Sequence, residues 1–153
     1  MSNLLPMIPL AYFGVRLSII DFKSHRLPNK LVAWFALTEV LLLVGLSFVE
    51  SDLRRLATAN GVAIATMSIY VLLYFISHGA LGMGDVKFAF PLGLCVGWYS
   101  PEQALISLYI SFLAAGFVAM IGIISKRMSR QSRLAFGPYM FLGTFLVCGF
   151  AVL

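Results

Sequence analysis

Charge is what this sequence has least of. Of 153 residues, 6 are acidic and 11 are Lys or Arg, so charged side chains make up 11% of the chain. That is less than half the roughly 25% of a soluble domain. Apolar residues reach 61% and the mean hydropathy is +0.96. A soluble chain of this length has too little interior to hide so much apolar surface. The composition leaves an all-α, polytopic membrane protein. Cysteine is also scarce: Cys95 and Cys148 are the two present, each inside an apolar run. No CxxC pair exists, which excludes a zinc ribbon and a thioredoxin-type redox motif and leaves both as buried packing residues. The two histidines, His25 and His78, have no Cys or second His at ligand spacing. No metal and no cofactor are therefore expected.

The start of the chain does not read as an obvious secretion signal. The first apolar run has no basic stretch before it and is interrupted by Arg16, so it reads as a retained helix. No repeat or low-complexity linker divides the chain, and residues 1–153 read as a single integral membrane domain.

Six apolar runs are present: Leu4–Phe22, Leu31–Val49, Ala59–Ser77, Asp85–Tyr99, Ala104–Ile124 and Leu134–Leu153. A helix needs about 20 apolar residues to cross a bilayer. The fourth run is the shortest and contains Pro91, so part of it is expected to be tucked among neighbours. The net charge of +5 does not point to nucleic acid, because the basic residues fall in short loops. Lys23, Arg26 and Lys30 follow the first run, and Lys126, Arg127, Arg130 and Arg133 follow the fifth. The second loop balances Arg54 and Arg55 against Glu50 and Asp52, and the fourth carries only Glu102. The excess of Lys and Arg places the odd loops in the cytoplasm and both termini outside.

With that orientation, Asp21 closes the first helix and Asp85 opens the fourth at the same cytoplasmic depth. Carboxylates at membrane depth are costly and are candidates for function. Asp85 could also act as a plain helix N-cap. Asp21 is harder to explain structurally, because a helix C-terminus disfavours an anion. Two facing carboxylates cannot both ionise easily and come to share one proton. The ionised member can take a proton from water while the protonated one polarises a carbonyl, which is aspartyl-protease chemistry without a metal or a covalent intermediate. Gly82 and Gly84 remove side chains beside Asp85 and would let a substrate backbone come close.

Three stretches together carry a resemblance. The first is "DFKSHRLPN", Asp21 to Asn29; the second is "GMGDVK", Gly82 to Lys87; the third is "FGPY", Phe136 to Tyr139. In this order and spacing they resemble the type IV prepilin peptidases, with their first aspartate and Pro-Asn, their GxGD motif with a trailing lysine, and their last-helix FGP signature. The resemblance implies that Asp21 and Asp85 are catalytic, and that Gly82, Gly84, Lys87, Pro28, Asn29, Gly137 and Pro138 are motif or substrate-binding positions. It implies removal of a leader peptide from a prepilin or pseudopilin precursor, after a small residue such as glycine, at the cytoplasmic face of a bacterial or archaeal membrane. It is strongest to the short members that serve Flp-type (tight-adherence) pili. The paired CxxC segment of the bifunctional members is not found here, so peptidase activity without N-methyltransferase activity is expected.

The remaining residues read more plainly. Lys87 lies two positions after Asp85, on a nearly opposite helix face, and is expected to snorkel to lipid phosphates. Pro28 and Asn29 are expected to start the second helix, and Pro138 to bend or start the sixth. Arg16 and Glu39, at matching depths in the first two helices, are expected to form an ion pair. The main rival reading is a small ion or proton transporter using the same carboxylates. Others are a non-catalytic membrane assembly factor and a GxGD protease of the presenilin or signal-peptide-peptidase type.

Overall fold

A computed structural model describes residues 2–78, 81–126 and 134–152. A short 3-10 turn, Ser2–Leu4, leads into six helices: α1 (Met7–Ser24), α2 (Asn29–Glu50), α3 (Leu53–Ile76), α4 (Met83–Gly97), α5 (Pro101–Ile124) and α6 (Gly137–Val152). The protein is an all-α polytopic membrane protein. Helices α2, α3 and α5, of 22, 24 and 24 residues, are long and apolar enough to cross a membrane. Their outward faces carry the large apolar side chains that face lipid, such as Leu41, Leu72 and Phe117.

Local chemistry sets the helix ends. The Asp52 carboxylate accepts the Arg55 N–H at 3.0 Å and starts α3. Ser100 does the same for α5 through Gln103 N–H, with Pro101 at the first helical position. Asn29 follows the extended Pro28 and begins α2, and Gly137 and Pro138 begin α6, as the sequence suggests. Helix α3 starts six residues before the expected Ala59, because the Asp52 cap draws Arg54 and Arg55 into its first turn. Helix α6 starts three residues after the expected Leu134, at the glycine that precedes Pro138. Asp85 is not the N-cap of α4. Gly82 holds that position and Asp85 sits three residues on, its carboxylate accepting the Gly82 N–H at 3.1 Å.

Helix α4 is the centre of the bundle. It packs against α2, α3, α5 and α6, and most of its residues from Asp85 to Gly97 are buried. Its contact with α3 is backbone-close. A Cβ on Gly93 would meet Ala63 Cα at 2.7 Å, and one on Gly97 would meet Ala59 Cα at 2.9 Å. Small residues spaced four apart on both helices make that approach possible.

At the end where α4 finishes, the Arg55 guanidinium ties four groups together. It donates to the Trp98 carbonyl at 2.7 Å, to Glu50 at 2.9 Å and to Asn3 Oδ1 at 2.7 Å, and lies 4.3 Å from the Trp98 ring centre. Cys95 and Cys148 are fully buried with their sulfurs 3.9 Å apart, which agrees with a packing role.

The expected Arg16–Glu39 ion pair does not form. Arg16 is on the exposed face of α1 and donates to the Tyr12 hydroxyl at 2.7 Å. Glu39 is completely buried, and neither carboxyl oxygen has a hydrogen-bond partner among the described residues. The two residues share a depth but not a direction around their helices. Arg127, Arg130 and Arg133 lie outside the described residues.

Candidate active site

Asp21 stands in the last turn of α1 and Asp85 in the first turn of α4. The antiparallel run of the helices brings both to the same end of the bundle. Both are buried, and both line one cleft of about 330 Å³ that opens at that end. The two carboxyl groups lie close enough to act on each other electrostatically. Each has one oxygen fixed by a backbone donor. Asp85 Oδ2 accepts from Gly82 N–H at 3.1 Å, and Asp21 Oδ2 accepts from Gly137 N–H at 3.0 Å. Asp85 Oδ1 is sealed from solvent and has no partner among the described residues. An orphaned oxygen of this kind needs a proton or a bound water.

The motif residues divide by what they touch. Gly82, Gly84, Asn29 and Lys87 line the same cleft. Gly84 does not leave open room for a substrate, because a Cβ there would meet Leu27 Cβ at 3.0 Å. Its bareness lets the loop after α1 pack against the start of α4. A Cβ on Gly82 would meet Asp85 Oδ2 at 3.1 Å, so that glycine clears space for the carboxylate. Lys87 does not extend to lipid phosphates. Its ammonium donates to Asn29 Oδ1 at 3.0 Å and joins the second turn of α4 to the first turn of α2. Pro28 is exposed and places Asn29 for that bond. His25 and Arg26 also line the cleft.

Two contributions were not legible beforehand. One is the Gly137 N–H, a backbone group that carries no side-chain signal. The other is Tyr70 of α3, which is buried, packs with Phe136 at 6.1 Å between ring centres and stands within electrostatic range of Asp85. Nothing in the spacing of Tyr70 sets it apart from the other aromatic residues of that helix. Among the described residues, no three His, Cys, Asp or Glu side chains converge as metal ligands do. A second void of about 20 Å³ lies among α3, α4, α5 and α6, lined by Tyr70, Ser107 and Thr144 but by neither carboxylate.

The arrangement offers two carboxyl groups in one cleft, each with a fixed backbone donor. The chain is 30% identical over 144 residues to the prepilin leader peptidase/N-methyltransferase of Escherichia coli (strain K12), across 90% of this chain and 60% of the relative. The chain thus spans about three-fifths of that relative's length. No solved structure gives a significant match. Residues 8–153 match the type IV leader peptidase family, a stretch that holds both carboxylates, Lys87 and Gly137. The chain belongs to the type IV leader peptidase family.

Proposed function

We propose that this protein is an aspartyl endopeptidase of the membrane that removes the leader from prepilin-like or pseudopilin precursors. The observation that carries the reading is the meeting of Asp21 and Asp85 in one cleft, each with one oxygen held by a backbone N–H. The membership of the family and the relative's name supply the substrate class.

The precursor has a short basic leader followed by an apolar helix, and that helix lies in the bilayer beside the enzyme. The scissile bond then reaches the depth of the two carboxylates. A water held between them loses a proton to the ionised member as it attacks the peptide carbonyl. The protonated member hydrogen-bonds to the carbonyl oxygen and neutralises the charge that develops there. The amine leaves after taking a proton from the dyad. The cleft faces the cytoplasm: Lys23, Arg26, Lys30, Lys87 and Lys126 gather at its end of the bundle, while Arg54 and Arg55 at the other end are offset by Glu50 and Asp52.

The test is co-expression of a pilin-type precursor with the wild-type enzyme, with Asp21→Asn and with Asp85→Asn. Asparagine keeps the size and removes the titrating group. Each variant is expected to insert normally and leave the precursor uncut on a gel. Near-normal processing by either one removes that residue from the mechanism.

A further inference from the structure

We infer that Gly137 is a positioning residue for the reaction, and that through it the N-terminus of α6 holds Asp21 as the member of the dyad that ionises first. The inference rests on the aspartyl reading of the site above.

Asp21 occupies a poor place for an anion. It is in the last turn of α1, where the helix dipole is negative. Something has to offset this if the carboxylate is to accept a proton from water. Helix α6 does so: it begins at Gly137, and the N–H of that residue points at Asp21 Oδ2 at 3.0 Å, from a sequence distance of 116 residues. A backbone donor at a helix start brings both a hydrogen bond and the positive end of a dipole.

A side chain at this position would displace the carboxylate. A Cβ on Gly137 would lie 2.9 Å from Asp21 Oδ2 and 3.4 Å from its Cγ. Pro138 follows and fixes the entry of the helix, having no N–H of its own to compete for the carboxylate. Glycine, donor and proline thus act on one oxygen.

The other charged and titratable groups around Asp21 complete the account. From α4 comes Asp85, which repels a second negative charge. From the end of α1 and the following loop come His25 and Arg26, and Lys87 lines the cleft from α4. From α2, Asn29 is neutral; α6 places Tyr139 near its start, and Tyr70 of α3 stands near Asp85. Each aspartate has one backbone donor, so donors alone do not separate them. What separates them is the sealed, partnerless Oδ1 of Asp85, which a proton suits better than a charge. Asp21 is the member left to ionise.

The experiment is the pH dependence of precursor cleavage by the purified full chain in bilayers. It uses a pilin-type precursor whose basic leader ends in glycine. Gly137→Ala is expected to lower kcat about tenfold with KM little changed, and to move the acid limb of the profile up by about one pH unit. Alanine keeps the N–H, but its Cβ pushes the Asp21 carboxylate off that donor, and losing a donor that favours the charged form sets the sign. Gly143→Ala is the control. That glycine is tighter still, with a Cβ that would meet the Ser107 carbonyl oxygen at 2.6 Å, and it stands six residues further along α6 from Gly137, with no Asp21 atom among its near contacts. It should reduce the folded yield and leave the limb in place.

If Gly137→Ala does not fold, glycolate at position 137, introduced by ligating a synthetic C-terminal peptide, removes the N–H without adding an atom of bulk. An unshifted acid limb in that ester overturns the inference, as does an equal shift in Gly143→Ala. Cleavage by Asp21→Asn overturns the aspartyl reading itself, so the two failures are distinguishable.

Discussion

Glu39 is the side chain with the least local justification. It is fully buried at mid-helix with both oxygens unpartnered. Leaving such a group unsatisfied costs about 1–3 kcal/mol. Glu39→Met keeps the volume and removes the penalty, so it is expected to raise the thermal midpoint in detergent without reducing cleavage. A lower midpoint would show that Glu39 has a partner worth more than its burial. The matching error in the sequence reading is instructive. Counting residues from the helix ends put Arg16 and Glu39 at one depth, but depth says nothing of direction, and Arg16 points away from α2. The aspartates were legible for the opposite reason. A carboxylate next to an apolar run is a rare and expensive choice, and two at the same end leave few structural excuses. Gly137 was legible as a motif letter and not as a donor, since every residue but proline has an N–H.

At the scale of elements, the α3–α4 seam is the least forgiving part of the molecule. Gly93 and Gly97 meet Ala63 and Ala59 with almost no space between backbones. Gly97→Val would put a side chain 2.7 Å from Val62 Cβ. Overpacking of this kind costs about 1–3 kcal/mol. The expected result is a lower yield of monodisperse protein by size exclusion, while Gly61→Val, on an open face of α3, should be neutral. Arg55 works at the same scale, because its bonds join α2, α3, α4 and the turn before α1. Arg55→Lys retains one charge and loses the fork, and should lose most of the stability lost by Arg55→Ala on thermal melting. All six helices could be read from apolar runs, since lipid demands long ones. Their ends could not, because caps such as Asp52 are polar residues that look like loop. The tight seam was also hidden: glycines in a fourth helix look like flexibility until the partner alanines are seen opposite them.

For the whole molecule, orientation is measured directly by labelling. Cys95 and Cys148 are buried and should not react with a membrane-impermeant maleimide. Ser51→Cys, in the exposed turn between α2 and α3, should label in intact cells, and Arg26→Cys, beside the cleft, only after lysis. Reversed labelling would put the carboxylates on the wrong side for a cytoplasmic leader. The charge asymmetry behind this expectation is spread over loops, and so the sequence shows it as well as the structure does.

The unequal helix lengths have a consequence for the bilayer. Helix α4 has 15 residues and spans about 22 Å, whereas the 22 to 24 residues of α2, α3 and α5 span about 33–36 Å. Helix α4 falls short of α3 mainly at the end away from the carboxylates, where Gly97 faces Ala59, six residues inside the start of α3 at Leu53. At about 30 Å³ per molecule, the cleft of about 330 Å³ has the volume of roughly ten waters. On the proposed reading, the water for hydrolysis is drawn from this small well between the helix ends, and no separate channel is needed to bring it in. On that reading, a substrate helix has to unwind only its first turn into the well to expose the bond. The depth of the well relative to the hydrocarbon is set by the lipid, so cleavage rates should fall in bilayers whose acyl chains are too long for the outer helices.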